Sequence, residues 1–127
     1  MRRFREVVGD RQVMSDWLHQ LQWDYFATFT FRYRSSPESA KRVLRRFLEN
    51  IEPSAKCFFA VERHNFQDYV HLHALLANLK KFGCFQLMKI WDKKYGHARV
   101  YRYDGNKKVC DYITKRIGDK FSDWDII

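Results

Sequence analysis

The sequence predicts an α+β domain, an antiparallel sheet with helices packed on it. Segments of hydrophobic period two and segments of period near 3.6 follow one another as strand, helix, strand, strand, helix, strand, helix. Two of the strands, residues 56–64 and 70–76, are separated only by the turn-like Asn65-Phe66-Gln67-Asp68 and its neighbour, so they read as an antiparallel hairpin. At 127 residues, 17% of them aromatic and only five Gly and two Pro, the chain is sized for one domain around one core. That composition is unlike a disordered or linker-like segment.

Taken in order, residues 1–10 are charged, carry Gly9-Asp10, and read as a mobile basic arm of a single domain spanning 1–127. Val13, Met14, Trp17, Leu18 and Leu21 then fall at helical spacing and predict a short amphipathic helix from Arg11 to Gln22 that covers one end of the sheet. Tyr25 to Arg34 is dense in aromatic and β-branched residues, with apolar side chains on both faces, as expected of a strand inside the sheet. Ser35-Ser36-Pro37-Glu38 opens a helix with a serine cap, proline in the first turn and an acid beside it. Ala40, Val43, Leu44, Phe47, Leu48 and Ile51 form its apolar stripe, while Lys41, Arg42, Arg45 and Arg46 face outward. After the hairpin, Cys84, Leu87, Met88 and Trp91 mark another helix, ended at Tyr95-Gly96 with lysines in its last turn. His97 to Tyr103 alternates as a strand. Asp104-Gly105-Asn106 turns the chain into a last helix, from Lys107 to about Ile117. Residues 119–127 carry Trp124, Ile126 and Ile127 and are read only as a docking or terminal segment.

Lys and Arg number 24 against 15 acids, a formal charge of +9. Such an excess points to a polyanionic partner, nucleic acid before others, against the plainer reading of charge kept for solubility. The three cysteines form no Cys-x-x-Cys pair, which argues against a disulfide framework or a structural zinc site and fits reduced thiols in a cytoplasm. No apolar run approaches the length of a membrane span, and no leader-like apolar region follows the basic N-terminus, so no membrane partner is expected.

The chemistry-bearing residues cluster in two places. In Val70-His71-Leu72-His73-Ala74-Leu75-Leu76, a period of two puts His71 and His73 on one strand face and Val70, Leu72, Ala74 and Leu76 on the other. Two imidazoles so placed can share a metal ion, although a lone His-x-His is more often a half-buried strand with histidines on its outer face. Glu62 is the one acid within the hairpin strands, among Phe58, Phe59, Ala60 and Val61, and any register that keeps the faces aligned sets it beside the histidines. A carboxylate in such surroundings needs a cationic partner. His64 shares its face and competes as third ligand. On the last helix, Val109, Cys110, Ile113 and Ile117 face one side, and Lys108, Tyr112 and Lys115 a neighbouring one. Tyr112 thus borders a packed stripe between two cations, a setting that stabilises a phenolate or a phosphate attached to it.

These blocks together resemble the HUH endonuclease superfamily, on its single-tyrosine rolling-circle replication initiator (Rep) side. Phe26-Ala27-Thr28-Phe29-Thr30-Phe31 is similar to the first strand motif, Glu62 with His71-Leu72-His73 to the metal motif, and Tyr112-Ile113-Thr114-Lys115 to the nucleophile motif. They occur in that order over residues 26–115. Mobilisation relaxases are less similar, placing the tyrosine before the histidines. Single-tyrosine transposases share the order but typically carry Gln where this chain has Lys115.

The resemblance implies a ferredoxin-like (RRM-like) fold with the metal on central strands. It also implies a nick in single-stranded origin DNA, in hairpin form or not, through a 5′-phosphotyrosyl intermediate, to start replication of a plasmid or virus. Tyr112 is then the nucleophile, with Lys115 in support. His71, His73 and Glu62 hold Mn²⁺ or Mg²⁺, and Lys108, Arg32, Arg34, Tyr101 and Tyr103 contact DNA. No P-loop pattern follows, so unwinding would fall to a separate host- or element-encoded helicase. A homodimer is left open. Two rival readings stand beside this one: a transposase of the same chemistry, and a sheet that binds single strands without cutting them.

Overall fold

The computed structural model describes residues 4–63, 69–115 and 123–127. In chain order these form α1 (Phe4–Gln20), β1 (Tyr25–Thr30), α2 (Pro37–Ile51), β2 (Lys56–Arg63), β3 (Val70–Ala77), α3 (Cys84–Lys94), β4 (Ala98–Arg102), α4 (Lys107–Thr114) and β5 (Asp123–Ile126). The five strands make one sheet in the order β4-β1-β3-β2-β5, with every neighbouring pair antiparallel. β1-α2-β2 and β3-α3-β4 are two crossover units whose strands interleave, so β1 and β3 lie inside the sheet. This is an α+β fold of ferredoxin-like kind, as expected, with one additional strand on the β2 edge.

Strand alternation divides the sheet into two faces. On the first, Tyr25, Ala27 and Phe29, Cys57, Phe59 and Val61, and Val70, Leu72, Ala74 and Leu76 pack under α2 and α3. Ala40, Leu44, Phe47 and Leu48 supply the α2 stripe, and Ser36 caps that helix by accepting from Ser39 N–H at 3.1 Å. Such a cap is worth about 1 kcal/mol. Trp91 of α3 is fully buried at the centre of an aromatic cluster, 4.5 Å from Phe29 and 5.1 Å from Phe47 between ring centroids. Its indole N–H donates to the Thr30 carbonyl at 2.9 Å, satisfying the one polar atom of the ring and pinning the end of β1 to α3.

The second face carries a smaller apolar cluster, Leu18, Phe58, Ala60, Leu75, Cys110 and Ile113, under α1 and α4. α1 packs chiefly on α4. Ser15, buried to 1% exposure, donates to Asp111 at 2.5 Å, and Lys107 pairs with Asp16 at 2.8 Å.

Several sequence expectations are corrected here. Residues 4–10, expected as an arm, are the first turns of α1; the helix tolerates Gly9 at a propensity cost of about 1 kcal/mol and ends at Gln20, two residues early. Only Met14 and Leu18 of its expected stripe reach the core. Val13, Trp17 and Leu21 remain exposed, because α1 leans on a neighbouring helix and does not lie flat on the sheet. β1 stops at Thr30, where the Arg32 N–H turns to the Tyr95 carbonyl at 2.9 Å and the chain leaves the ladder. α4 ends at Thr114, and Ile117 lies outside the described residues. The C-terminal segment is a fifth strand, held from the α2 side by Lys41–Asp123 at 2.5 Å and Arg45–Asp125 at 2.6 Å. Two of the four basic residues expected to face solvent are therefore engaged in holding β5.

Candidate active site

The second sheet face is polar at one end. Register aligns Thr30, His71 and Glu62 in one cross-strand row, and Arg99, Thr28, His73 and Ala60 in the next. Beyond them, Tyr101, Phe26, Leu75 and Phe58 form a row that α1 and α4 largely cover. α4 also reaches over His73 and Ala60 in the middle row.

His73 uses both ring nitrogens. Nε2 lies 3.0 Å from Glu62 Oε2, and Nδ1 lies 3.2 Å from Thr28 Oγ1. At 7% exposure it is buried, although the sequence placed it on an open face; α4 closes over it. Burial pushes the imidazole below its ordinary range, and neighbouring His71 and Lys115 act the same way. The Glu62 carboxylate pulls it up but does not cancel the desolvation. Through this contact Glu62, its side chain 18% exposed, faces the His73 ring. His71 stands directly opposite Glu62 in the β2–β3 register and is half-buried.

Tyr112 reaches the same spot from α4. Its ring stands edge-on to His73 with centroids 5.3 Å apart, and edge-on to Phe26 at 6.2 Å. At 43% exposure it lies partly in solvent. Lys115, at the C-cap of α4, places Nζ 3.9 Å from the Tyr112 ring centroid. The ammonium therefore lies over the ring face, a cation–π contact, where the sequence foresaw only a shared helix side. Ala60, Val61, Glu62, His73, Tyr112, Ile113 and Lys115 line a small cleft between β2, β3 and α4.

The expected DNA contacts are dispersed around this centre. Lys108 is exposed one helical turn before Tyr112. Arg32 and Arg34 follow the site end of β1, and Arg32 makes an exposed pair with Asp92 at 3.5 Å, of small energetic worth. Tyr101 is 56% exposed on the site face. Tyr103 differs: it packs against the second core with its hydroxyl 3.5 Å from Cys110 Sγ, and burial raises its pKa. Only Tyr101 of the two offers an open ring. Sequence reasoning did not single out Thr28 or Arg99. Period-two alternation within Phe26-Ala27-Thr28-Phe29-Thr30 sets Thr28 on the face opposite the apolar core, which was the available signal. Arg99 needed the β1–β4 register.

The donor set suits a hard or borderline divalent cation: one carboxylate, one imidazole already against it, and a second imidazole in register. The 3.0 Å between His73 Nε2 and Glu62 Oε2 is a hydrogen-bond contact that brings the two donors together. Among the described residues no three His, Cys, Asp or Glu side chains gather into a ready-made metal cluster, so His71 would have to turn toward the other two. His64, the competing ligand, lies outside the described residues.

The chain matches no protein-family model, and no curated protein and no solved structure is significantly similar to it.

Proposed function

We propose that this chain is a metal-dependent endonuclease that nicks and rejoins single-stranded DNA through Tyr112, acting at the origin of a plasmid or virus that replicates by rolling circle. The observation that carries the reading is the convergence of Glu62, His73 and Tyr112. They lie on β2, β3 and α4, and the fold brings the nucleophile candidate against a histidine already bonded to the carboxylate. A tyrosine that served only packing needs no such company.

His71, His73 and Glu62 would hold Mn²⁺ or Mg²⁺, which when bound supplies Lewis-acid polarisation of the scissile phosphate. Burial disfavours the charged form of the His73 ring, and the neutral form is the state in which a ring nitrogen can act as a ligand. Tyr112 is held by Phe26 and His73 on its edges, which fixes the distance from its hydroxyl to the sheet, as in-line attack requires. Its oxygen forms the bond to phosphorus, its proton passes to solvent, and the P–O3′ bond breaks. The products are a 5′-phosphotyrosyl link and a 3′-hydroxyl that takes up one proton. Lys115 offsets the negative charge that develops on the phenolic oxygen and the phosphate. Because the link keeps the ester energy, the 3′-hydroxyl can attack it and reseal the strand.

The test is incubation with mixed single-stranded oligonucleotides and Mn²⁺, followed by a search for an SDS-resistant adduct. The expected result is an adduct that EDTA abolishes. Binding without any adduct would mean a non-catalytic single-strand-binding sheet.

A further inference from the structure

His73 has one neighbour whose chemistry the proposed reaction does not use. Thr28 lies opposite it in the β1–β3 register, with Oγ1 3.2 Å from Nδ1, while Nε2 faces Glu62 at 3.0 Å. A neutral imidazole carries a single N–H, so one nitrogen donates and the other accepts. Against a bare carboxylate, Nε2 must be the donor, leaving Nδ1 as acceptor. Bound to a cation, Nε2 must present its lone pair, and the N–H must be at Nδ1. A hydroxyl is a partner able to serve both states from one position, since it donates or accepts by rotating. A backbone carbonyl or a carboxylate could serve only one.

We propose that Thr28 is a positioning residue whose hydroxyl holds His73 in place through an exchange of tautomer: it donates to Nδ1 when Nε2–H is bonded to Glu62, and accepts from Nδ1–H when Nε2 takes a divalent cation. One proton leaves Nε2 and one arrives at Nδ1, so the ring stays neutral throughout. The burial of His73 supports this, because a buried ring does not hold its orientation by solvation and depends on the two side chains at its nitrogens. The inference rests on the metal-binding reading above. Thr28 touches neither substrate nor cation.

The experiment uses the full chain labelled with ¹⁵N-histidine and Zn²⁺ as a diamagnetic probe, with the ring signals of the five histidines assigned by single His→Gln variants. At neutral pH without metal, His73 should show the Nε2–H tautomer; on adding Zn²⁺ it should convert to Nδ1–H. Thr28→Val keeps the branched shape and strand preference but loses the hydroxyl. It should weaken Zn²⁺ affinity by about 10- to 100-fold, and Thr28→Ser should recover it to within about threefold. Urea unfolding of each variant separates this from lost stability, and the wild-type tautomers stand even if Thr28→Val fails to fold.

An Nδ1–H tautomer without metal, or Thr28→Val binding Zn²⁺ as wild type does, overturns the role of Thr28 and leaves the metal reading in place. So does failure of Thr28→Ser to restore binding. Absence of Zn²⁺ binding to the wild type overturns both.

Discussion

Replacing Tyr112 by phenylalanine separates the hydroxyl from the ring. The ring makes the structural contacts: edge-to-face against His73 at 5.3 Å and Phe26 at 6.2 Å, with the Lys115 ammonium 3.9 Å from its centroid. Each aromatic pair is worth about 0.5–1.5 kcal/mol and an exposed cation–π contact about 0.5–1 kcal/mol. With 43% of the residue in solvent, the low ends apply, so Tyr112→Ala should lose about 1–2 kcal/mol in urea unfolding. Tyr112→Phe retains all three contacts and, among the described residues, gives up no hydrogen bond of the hydroxyl, so its stability should stay within about 0.5 kcal/mol of wild type. Affinity for single-stranded DNA should also persist. The covalent adduct with an oligonucleotide in Mn²⁺ should vanish in both variants, because the bond to phosphorus can form only through the missing oxygen. Peptide mapping of the wild-type adduct completes the assay. A nucleotide on any other tyrosine, or an undiminished adduct in Tyr112→Phe, refutes the assignment of α4 as the active-site helix.

His73→Ala should destabilise the fold by about 1–3 kcal/mol, since it removes a buried ring together with its contacts to Glu62 and Thr28, whereas half-buried His71→Ala should cost less; equal costs in urea unfolding would contradict the burial described. Gly96→Ala should lose about 1–3 kcal/mol, because the added carbon would fall 2.3 Å from the Thr30 carbonyl oxygen and 2.8 Å from Phe31 Cα. An unchanged urea midpoint would show that the end of β1 can give way. The Asp125 carboxyl is held below its ordinary 3.8 by the Ile126 N–H first, then by Arg45 and Lys41, against some desolvation. A depressed acid contributes stability that is complete above the unfolded value and is lost as pH falls through the folded one. Trp124 fluorescence should therefore report β5 loosening only below pH 3.8, and Asp125→Asn should remove that transition. A transition centred near neutrality would point to another group.

The order of elements and most of the core were legible in the chain because each depends on neighbours in sequence. The α2 stripe of Ala40, Leu44, Phe47 and Leu48 follows from 3.6-residue periodicity, and its start from Ser36-Pro37. The alternation of Val70 to Leu76 set both faces of β3, and the short hairpin connection put Glu62 beside the two histidines, while the exact pairing with His71 came from the folded register. What could not be read was whatever depends on which surfaces meet at a distance. Nothing local distinguishes Met14 and Leu18, which α4 buries, from Val13 and Trp17, which it leaves in water. β5 is only four residues long, and its place on the β2 edge comes from ladder pairing with Phe58 to Val61 and from ion pairs to α2 some 80 positions away in sequence. The burial of His73 and its bond to Thr28, 45 residues upstream, likewise arise where β1, β3 and α4 come together. Periodicity assigns a side chain to a face, but only packing decides what covers that face, and covering is what desolvates His73 and brings Tyr112 to its edge.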